Sequence, residues 1–321
     1  MSLQDAMARV EKMYGKGSLI NMSEAPKIDK DALSTGIIGL DWALGIGGLP
    51  LGRVVELYGQ QAVGKSTIAL STVAEAQKKG IQCVYIDAEH ALNVEFAKML
   101  GVDPDKLIIS QPNGGGEEAL NIVEMLVDSG DIRLIVIDSV AALVPKAELD
   151  GEMGDQQMGL QARLISKALR KLTAIMNGNK CTIIFINQLR STIQAYGPSE
   201  VTTGGKALQF YATIRLEAKK GEVLKQGENI IGHEIKVKVT KNKVAPPYKN
   251  CTFELNYTKG ISSEGMLLDA AVDKGIIKKT GSWYSYDDNK IGQGAESAKN
   301  WLAEHQDLKQ QIIDGLFKVV E

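Results

Sequence analysis

From Arg53 onward the chain alternates short, unbroken apolar runs with longer stretches whose apolar residues recur every three or four positions. The runs "RVVELYG", "IQCVYIDAE", "KLIISQP", "IRLIVIDS" and "CTIIFINQ" are short and almost wholly apolar, the pattern of strands buried on both faces. Between them "STIALSTVAEAQKKG", "VEFAKMLG" and "EEALNIVEMLVDSG" carry the helical period and end on glycine. Buried strands alternating with helices predict a mostly parallel sheet covered on both sides, an α/β fold. Further strand-like runs follow at "YATIRLEAK", "HEIKVKVTKNK" and "CTFELNY". After Gly260 the character changes to "LLDAAVDKGII", hairpin-like "SWYSYDDNKIGQG" and helical "AESAKNWLAEHQDLKQQIIDGLFKVVE", a small appended α+β domain.

At the other end Leu3, Ala6, Met7, Val10, Met13 and Tyr14 recur at helical spacing until "GKGS" stops the helix. The loop-like "INMSEAPKIDKDALSTG" that follows leaves open whether this stripe packs on its own core or on something else. The predicted organisation is an N-terminal helix and linker over 1–32, a large core over 33–262 and a C-terminal domain over 263–321.

The 321 residues contain no apolar run near the ~18 residues that span a bilayer, and the amphipathic N-terminus is unlike a signal peptide, so a cytoplasmic protein with no membrane partner is expected. Cys83, Cys181 and Cys251 are far apart, which predicts neither a disulfide nor a cysteine metal site. A formal net charge of −2 excludes a global positive field, so any nucleic-acid binding must use local patches.

The chemistry is concentrated in "GQQAVGKST", where Gly59, Gly64, Lys65 and Ser66 make a P-loop directly after a strand and before a helix. Gly59, Gln60, Gln61, Ala62, Val63 and Gly64 supply backbone N–H groups for phosphate oxygens, and the start of the helix at Lys65, Ser66 and Thr67 adds partial positive charge. Lys65 is expected to reach the β- and γ-phosphates, and Ser66 to ligate Mg²⁺. Asp138, ending "LIVIDS", is the second expected metal residue. Alone it could as well cap a helix; the P-loop gives it weight. Glu89 in "YIDAEH" lies just beyond a strand end and is the expected base for hydrolysis, with His90 a competitor and Asp87 structural. Gln188, ending "FINQ", can bond a γ-phosphate and lose that bond after hydrolysis. The stretch after it, "QAYGPSEVTTGGKA", has almost no apolar anchor and so needs a ligand to order it.

With the P-loop, the segments "STGIIGLDWALGIGGLPLGRVVELYG", "YIDAEHAL", "LIVIDSVAALVPKAELDGEMGDQQMG", "IFINQLR", "TTGGKALQFYA", "VTKNKVAPP", "WYSY" and "KIGQG" resemble, in order and over nearly the whole chain, the RecA family of bacterial strand-exchange recombinases. The resemblance implies a P-loop NTPase core of RecA type, with ATP and Mg²⁺ as cofactors. It implies helical homo-oligomeric filaments on single-stranded DNA, pairing with homologous double-stranded DNA, and DNA-dependent ATP hydrolysis. By resemblance the loops around "DGEMGDQQMG" and "YGPSEVTTGG" line the filament axis, so Met158, Gly159, Arg190, Ile193, Thr203, Gly204 and Gly205 contact DNA, Met158 and Ile193 as apolar wedges between bases. In "LQARLISKALRKL" the spacing puts Leu160, Leu164, Ala168 and Leu172 on one helical face and Arg163, Lys167, Arg170 and Lys171 largely on the other. Such a stripe is usually a solvated face, and the resemblance makes Arg163 and Arg170 DNA contacts.

Lys241 and Lys243, two apart on a predicted strand, point the same way; by resemblance they reach the ATP of a neighbouring subunit, and Phe210 relays the nucleotide state across that interface. The N-terminal stripe would then pack on the adjacent protomer. Lys278, Lys279 and Lys290 gather duplex DNA in this picture, and otherwise serve only solubility. Loader proteins and a self-cleaving repressor are further implied partners.

Several positions depart from the family. The P-loop interior is "QQAV" in place of a proline, an acidic residue and two serines, which implies altered nucleotide affinity and turnover. Asn93 stands for an aspartate near the adenine, and Phe96 for a tyrosine stacking on it, so stacking survives while adenine preference relaxes. The second loop is slightly short, and the acidic C-terminal tail is missing, which implies weaker autoinhibition. A ring helicase or a signalling ATPase built on the same core is the alternative reading.

Overall fold

The computed structural model describes residues 2–21, 32–152, 159–191, 200–287 and 289–317, in two compact units, Met1–Lys30 and Asp31–Glu321. The first holds helix α1 (Leu3–Tyr14). Ser2 caps it reciprocally: its hydroxyl accepts from the Asp5 N–H at 3.1 Å, while the Asp5 carboxylate accepts from the Ser2 N–H at 2.9 Å. No residue of α1 is buried, and Leu3, Met13 and Tyr14 are exposed.

In the second unit β1 (Ala32–Leu33) and β2 (Leu49–Pro50) pair antiparallel around α2 (Ile38–Leu44), a helix too short for its period to stand out in the sequence. The chain then alternates β3 (Val54–Gly59), α3 (Lys65–Lys78), β4 (Cys83–Asp87), α4 (Val94–Met99), β5 (Leu107–Ser110), α5 (Gly116–Asp128), β6 (Leu134–Asp138), α6 (Lys146–Leu149), α7 (Leu160–Asn179) and β7 (Thr182–Ser191). Next come β8 (Glu200–Thr202), α8 (Ala207–Tyr211) and the strands β9 (Ile214–Gln226), β10 (Asn229–Asn242), β11 (Asn250–Asn256) and β12 (Gly260–Ile261). The sheet order is β12-β11-β10-β9-β3-β7-β6-β4-β5, parallel from β9 to β5 and antiparallel from β9 to β12, with β8 added antiparallel to β7.

The apolar runs are buried on both faces because alternate residues enter different cores. Cys83, Tyr85, Leu134, Val136, Ile184 and Ile186 pack with α3 residues on one side, whereas Val84, Ile86, Ile135, Ile137, Ile183 and Phe185 pack with α5 and α7 residues on the other. The strand "KLIIS" departs from this expectation. As β5 it is the sheet edge, and Ile108 and Ile109 are exposed. The packing face of α7 also differs from the expected row: Ile165, Leu169, Leu172 and Met176 are buried, while Leu160, Leu164 and Ala168 are half-buried flanks. A helix advances 3.6 residues per turn, so a row of exact fours drifts off the core.

The C-terminal region comprises α9 (Ser263–Asp273), β13 (Ile277–Thr280), β14 (Trp283–Tyr286), β15 (Asn289–Gln293), α10 (Ala295–Glu304) and α11 (Gln306–Phe317). The final helical stretch, expected as one, breaks at His305. Leu267, Ile277, Tyr284, Leu302 and Ile312 form a separate core here, while Met266 of α9 turns into the core of the large sheet.

Cys83, Cys181 and Cys251 are free and buried, and burial pushes each thiol up to about 12. At pH 8 roughly one thiol in ten thousand is then ionised. A chromogenic aryl disulfide is expected to leave all three thiols of the folded chain unlabelled over minutes and to label all three in denaturant. Rapid labelling of the folded chain would show that a core segment opens.

Candidate nucleotide site and adjoining loops

Strand register sets the site. Gly59 lies opposite Gln188, Asp138 opposite both Asp87 and Ile186, and Gly59 opposite Ala218, so β3, β4 and β6 end together at one edge, which β7 and β9 pass at Gln188 and Ala218. Carboxyl ends of parallel strands are where open α/β sheets bind ligands. β3 runs straight into the glycine-rich loop, and α3 starts at Lys65 with Gly64 as its cap at φ 89°. Gly64 is obligatory, since a Cβ there would sit 2.2 Å from Ile235 Cδ1; one on Gly59 would lie equally close to the Ala218 carbonyl oxygen.

Lys65 is buried and its ammonium donates to the carbonyls of Gly59 (3.2 Å) and Gln60 (2.5 Å). Burial holds its pKa below the usual lysine range, while Asp138 and Glu89 act the other way. The Asp138 carboxylate accepts from Ser66 (2.7 Å) and Tyr85 (2.6 Å), and burial raises its pKa. Glu89 accepts from the Ser139 hydroxyl and from Gln188 Nε2 at 2.8 Å. Glu89 and Gln188, widely separated in sequence, therefore touch. Asp87 is buried and accepts from the N–H groups of Ala91 and Leu92 and from Gln111, as its structural reading expects. His90 is exposed.

Gln61, Ala62, Val63, Gly64, Lys65, Ser66, Thr67, Glu89, Phe96, Asp138 and Gln188 line one pocket of about 330 Å³, with Ile186, His233, Leu255 and Tyr257 completing its wall. Asn93 is not among them. It caps α4, its amide oxygen accepting from the Phe96 N–H at 3.0 Å. Gln60 points elsewhere, donating from Nε2 to Glu200 of β8 at 2.8 Å. The donor set at Ser66 and Asp138 is all oxygen, the chemistry a magnesium ion prefers.

Beyond Gln188 the strand does not stop, as the sequence suggested. β7 continues to Ser191 and pairs Leu189, Arg190 and Ser191 with Thr202, Val201 and Glu200. Arg190 is exposed. Gly204 and Gly205, both at positive φ, lie against Val140 and Ala162, where added Cβ atoms would be 2.9 and 2.7 Å from neighbouring side chains. Gly159 caps α7 with φ 80°. Met158 and Ile193 lie outside the described residues. Arg163 and Arg170 are exposed on α7 and share a shallow groove with Lys206 and Phe210 of the α8 segment. Lys171 does not join them: it pairs with Glu124 of α5 at 2.9 Å. Phe210 is 70% exposed.

Lys241 sits in β10, but the strand ends at Asn242, so Lys243 lies just past it and is exposed. The Lys241 ammonium donates to the carbonyls of Gln209 (2.7 Å) and Phe210 (3.0 Å), and burial, then Lys243 and Arg215, lowers its pKa.

One central residue escaped the sequence reading. Glu56, fully buried in β3, accepts from Arg215 Nε at 2.5 Å and Asn187 Nδ2 at 3.0 Å. Asn187 in turn holds Thr203, accepting from its hydroxyl at 2.6 Å and donating to its carbonyl at 3.1 Å. Arg215 also covers the Tyr58 ring, 4.5 Å from its centroid. A lone charge in the middle of "VVELY" was the available signal, since a buried carboxylate demands a partner. Lys206, directly after two glycines, and Ser139, directly after Asp138, were likewise passed over.

A strand, a glycine-rich loop and a helix, with a carboxylate at the end of a strand two places away, define a P-loop nucleoside triphosphatase. The model of the RecA N-terminal domain matches residues 1–262, and that of the RecA C-terminal domain matches 265–319. The chain is 55% identical over 312 residues to Protein RecA of Clostridioides difficile (strain 630), covering 97% of this chain and 89% of that one. It is also 55% identical over 320 residues to Protein RecA of Fusobacterium nucleatum subsp. nucleatum, covering 99% and 84%. A crystal structure of the RadB recombinase superposes with a TM-score of 0.54 at 25% identity, over 71% of this chain and 98% of that chain. The chain belongs to the RecA family. It is thus a nucleotide-binding recombinase with DNA-dependent ATPase activity. Among the described residues no helix is long and apolar enough to cross a membrane.

Removing the Glu56 carboxylate would leave Arg215 and Asn187 without their shared acceptor. Glu56→Ala is expected to lower the unfolding free energy by about 3–5 kcal/mol, read from the midpoint of a denaturant titration. A change under about 1 kcal/mol would mean that water replaces the carboxylate.

Proposed function

We propose that the pocket binds ATP with Mg²⁺, that ATP and Mg²⁺ bridge successive protomers of a helical filament on single-stranded DNA, and that Glu89 and Gln188 couple hydrolysis to DNA release. The observation that carries this is the 2.8 Å hydrogen bond from Gln188 to Glu89 at the foot of the β7–β8 ribbon. A carboxylate bonded to this amide orients a water for attack, and a γ-phosphate competes for the same amide, so the ribbon responds to which partner Gln188 takes. The backbone N–H groups of 59–64 and the Lys65 ammonium bind phosphate oxygens. Phe96 stacks on the base. Ser66 and Asp138 hold Mg²⁺, which when bound neutralises charge on the transferring phosphoryl group.

On the DNA side Arg163, Arg170, Arg190 and the backbone at Gly159, Thr203, Gly204 and Gly205 contact phosphates, with Met158 and Ile193 as wedges between bases. Such contacts hold a strand without reading its sequence, which is left to base pairing. Lys241, Lys243 and Phe210 act across the protomer interface. An aromatic ring 70% exposed, next to a lysine held by its carbonyl, suits that place. Residues 1–32 serve protomer packing, 33–262 hold the ATPase and DNA loops, and 263–321 gather double-stranded DNA. The protein works in the cytoplasm, with loader proteins and a self-cleaving repressor as further partners.

ATP hydrolysis at fixed Mg²⁺ is expected to be slow without DNA and to rise with the length of added single strands until many protomers align on one strand. A rate indifferent to DNA would overturn the coupling and favour a ring or signalling ATPase. Glu89→Gln is expected to lower the hydrolysis rate by about 10²–10⁴-fold with DNA binding retained or strengthened, checked by phosphate release and fluorescence anisotropy. Unchanged hydrolysis would remove Glu89 as the base.

A further inference from the structure

Among the described residues a single buried side-chain nitrogen or oxygen has no hydrogen-bond partner, Nε2 of His233. The residue is only 4% exposed, and it lines the nucleotide pocket. Buried polar groups are nearly always paired, so an orphan in the wall of a binding pocket asks for a ligand atom. The ring is fixed from its other side, where Nδ1 lies 3.0 Å from the Tyr257 hydroxyl, and the two rings pack at 5.6 Å between centroids.

Position narrows which part of a nucleotide could answer. His233 and Ile235, two apart on β10, share a face, and Ile235 abuts Gly64 of the P-loop. The turn after Tyr257 meets the end of α4, the helix carrying Phe96: a Cβ on Gly260 would lie 3.4 Å from the Met99 carbonyl oxygen. His233 thus belongs with Phe96 and Tyr257, the pocket's aromatic side. Burial first, then Lys220, keeps its pKa below the ordinary histidine range and the ring neutral at neutral pH. A neutral ring presents either an N–H or a lone pair at Nε2, according to which way the Tyr257 proton runs. A sugar hydroxyl can answer both.

We propose that Nε2 of His233 hydrogen-bonds a ribose hydroxyl of the bound nucleoside triphosphate, making His233 a specificity-determining residue of the site. This rests on the reading of the pocket as the nucleotide site. It also gives the pocket a polar sugar contact independent of the substituted positions Asn93 and Phe96.

The test is calorimetric titration of the full chain at fixed Mg²⁺, without DNA, using ATP, 2′-deoxyATP and 3′-deoxyATP. The wild-type chain is expected to bind one deoxy analogue about 2–12-fold more weakly than ATP, the range of one hydrogen bond of ordinary strength. His233→Phe keeps a buried ring without the nitrogen, and is expected to bind ATP as weakly as that analogue, with the melting temperature of the nucleotide-free protein unchanged or raised. Tyr257→Phe, which frees Nδ1 and leaves the His233 ring in place, is expected to blur the same discrimination, and serves should His233→Phe fail to fold. A purely structural histidine would give the opposite pattern, a lowered melting temperature with wild-type affinity ratios, and would overturn the proposal. Lys65→Ala separates the two readings. If it abolishes ATP binding while the His233 and Tyr257 variants keep wild-type ratios, the nucleotide site stands and the ribose contact falls. If Lys65→Ala binds ATP normally, the nucleotide reading falls with it.

Discussion

A carboxylate sealed in the middle strand of a sheet has to be neutralised where it lies, and the way Glu56 is neutralised sets much of what surrounds it. Its two oxygens draw Arg215 in from β9 on one side and Asn187 from β7 on the other, so three neighbouring strands are tied at one level. Asn187 then has its carbonyl oxygen left to hold Thr203, the residue at which the β7–β8 ribbon rejoins the body. Arg215, committed to Glu56, lies over Tyr58, whose hydroxyl donates to Thr240 next to Lys241. Apolar residues replacing both Glu56 and Arg215 could fill the same volume, and replacing a whole buried ion pair in that way often costs nothing in stability. They would, however, give no directional link between the strand, the ribbon and the Lys241 edge. The geometry suits a carboxylate retained for registry more than for stability.

This also explains which parts of the molecule were legible in the sequence. The parallel strands could be read because their side chains alternate between two cores, so nothing polar interrupts Ile135, Val136 and Ile137. β5 broke the pattern without announcing it, since an edge strand in "KLIIS" has the same apolar residues as a central one. The P-loop, Asp138, Glu89 and Gln188 were legible because each lies at or just past the carboxyl end of a short apolar run, and parallel register brings those ends together. What could not be read was who touches whom. The Gln188 contact with Glu89 depends on β7 and β4 being two places apart, an order that the sequence leaves open. His233 was invisible for a related reason: "GHEIKVKV" is an ordinary half-buried strand until β11 brings Tyr257 beside it.

The interior of the P-loop has a physical reading of its own. Gln60 lies in a position that faces away from the pocket, and its amide donates to Glu200 at the start of β8. Gln188 reaches the same ribbon from the other side, as part of β7. The ribbon is therefore held at both strands, by a surface amide at Gln60 and by the register of β7 at Gln188. A surface hydrogen bond is weak and easily exchanged for water, whereas strand register is not. In the proposed coupling the Gln188 side must then carry the signal and the Gln60 side can only bias it, so a changed P-loop interior would shift how readily the ribbon moves without deciding whether it does.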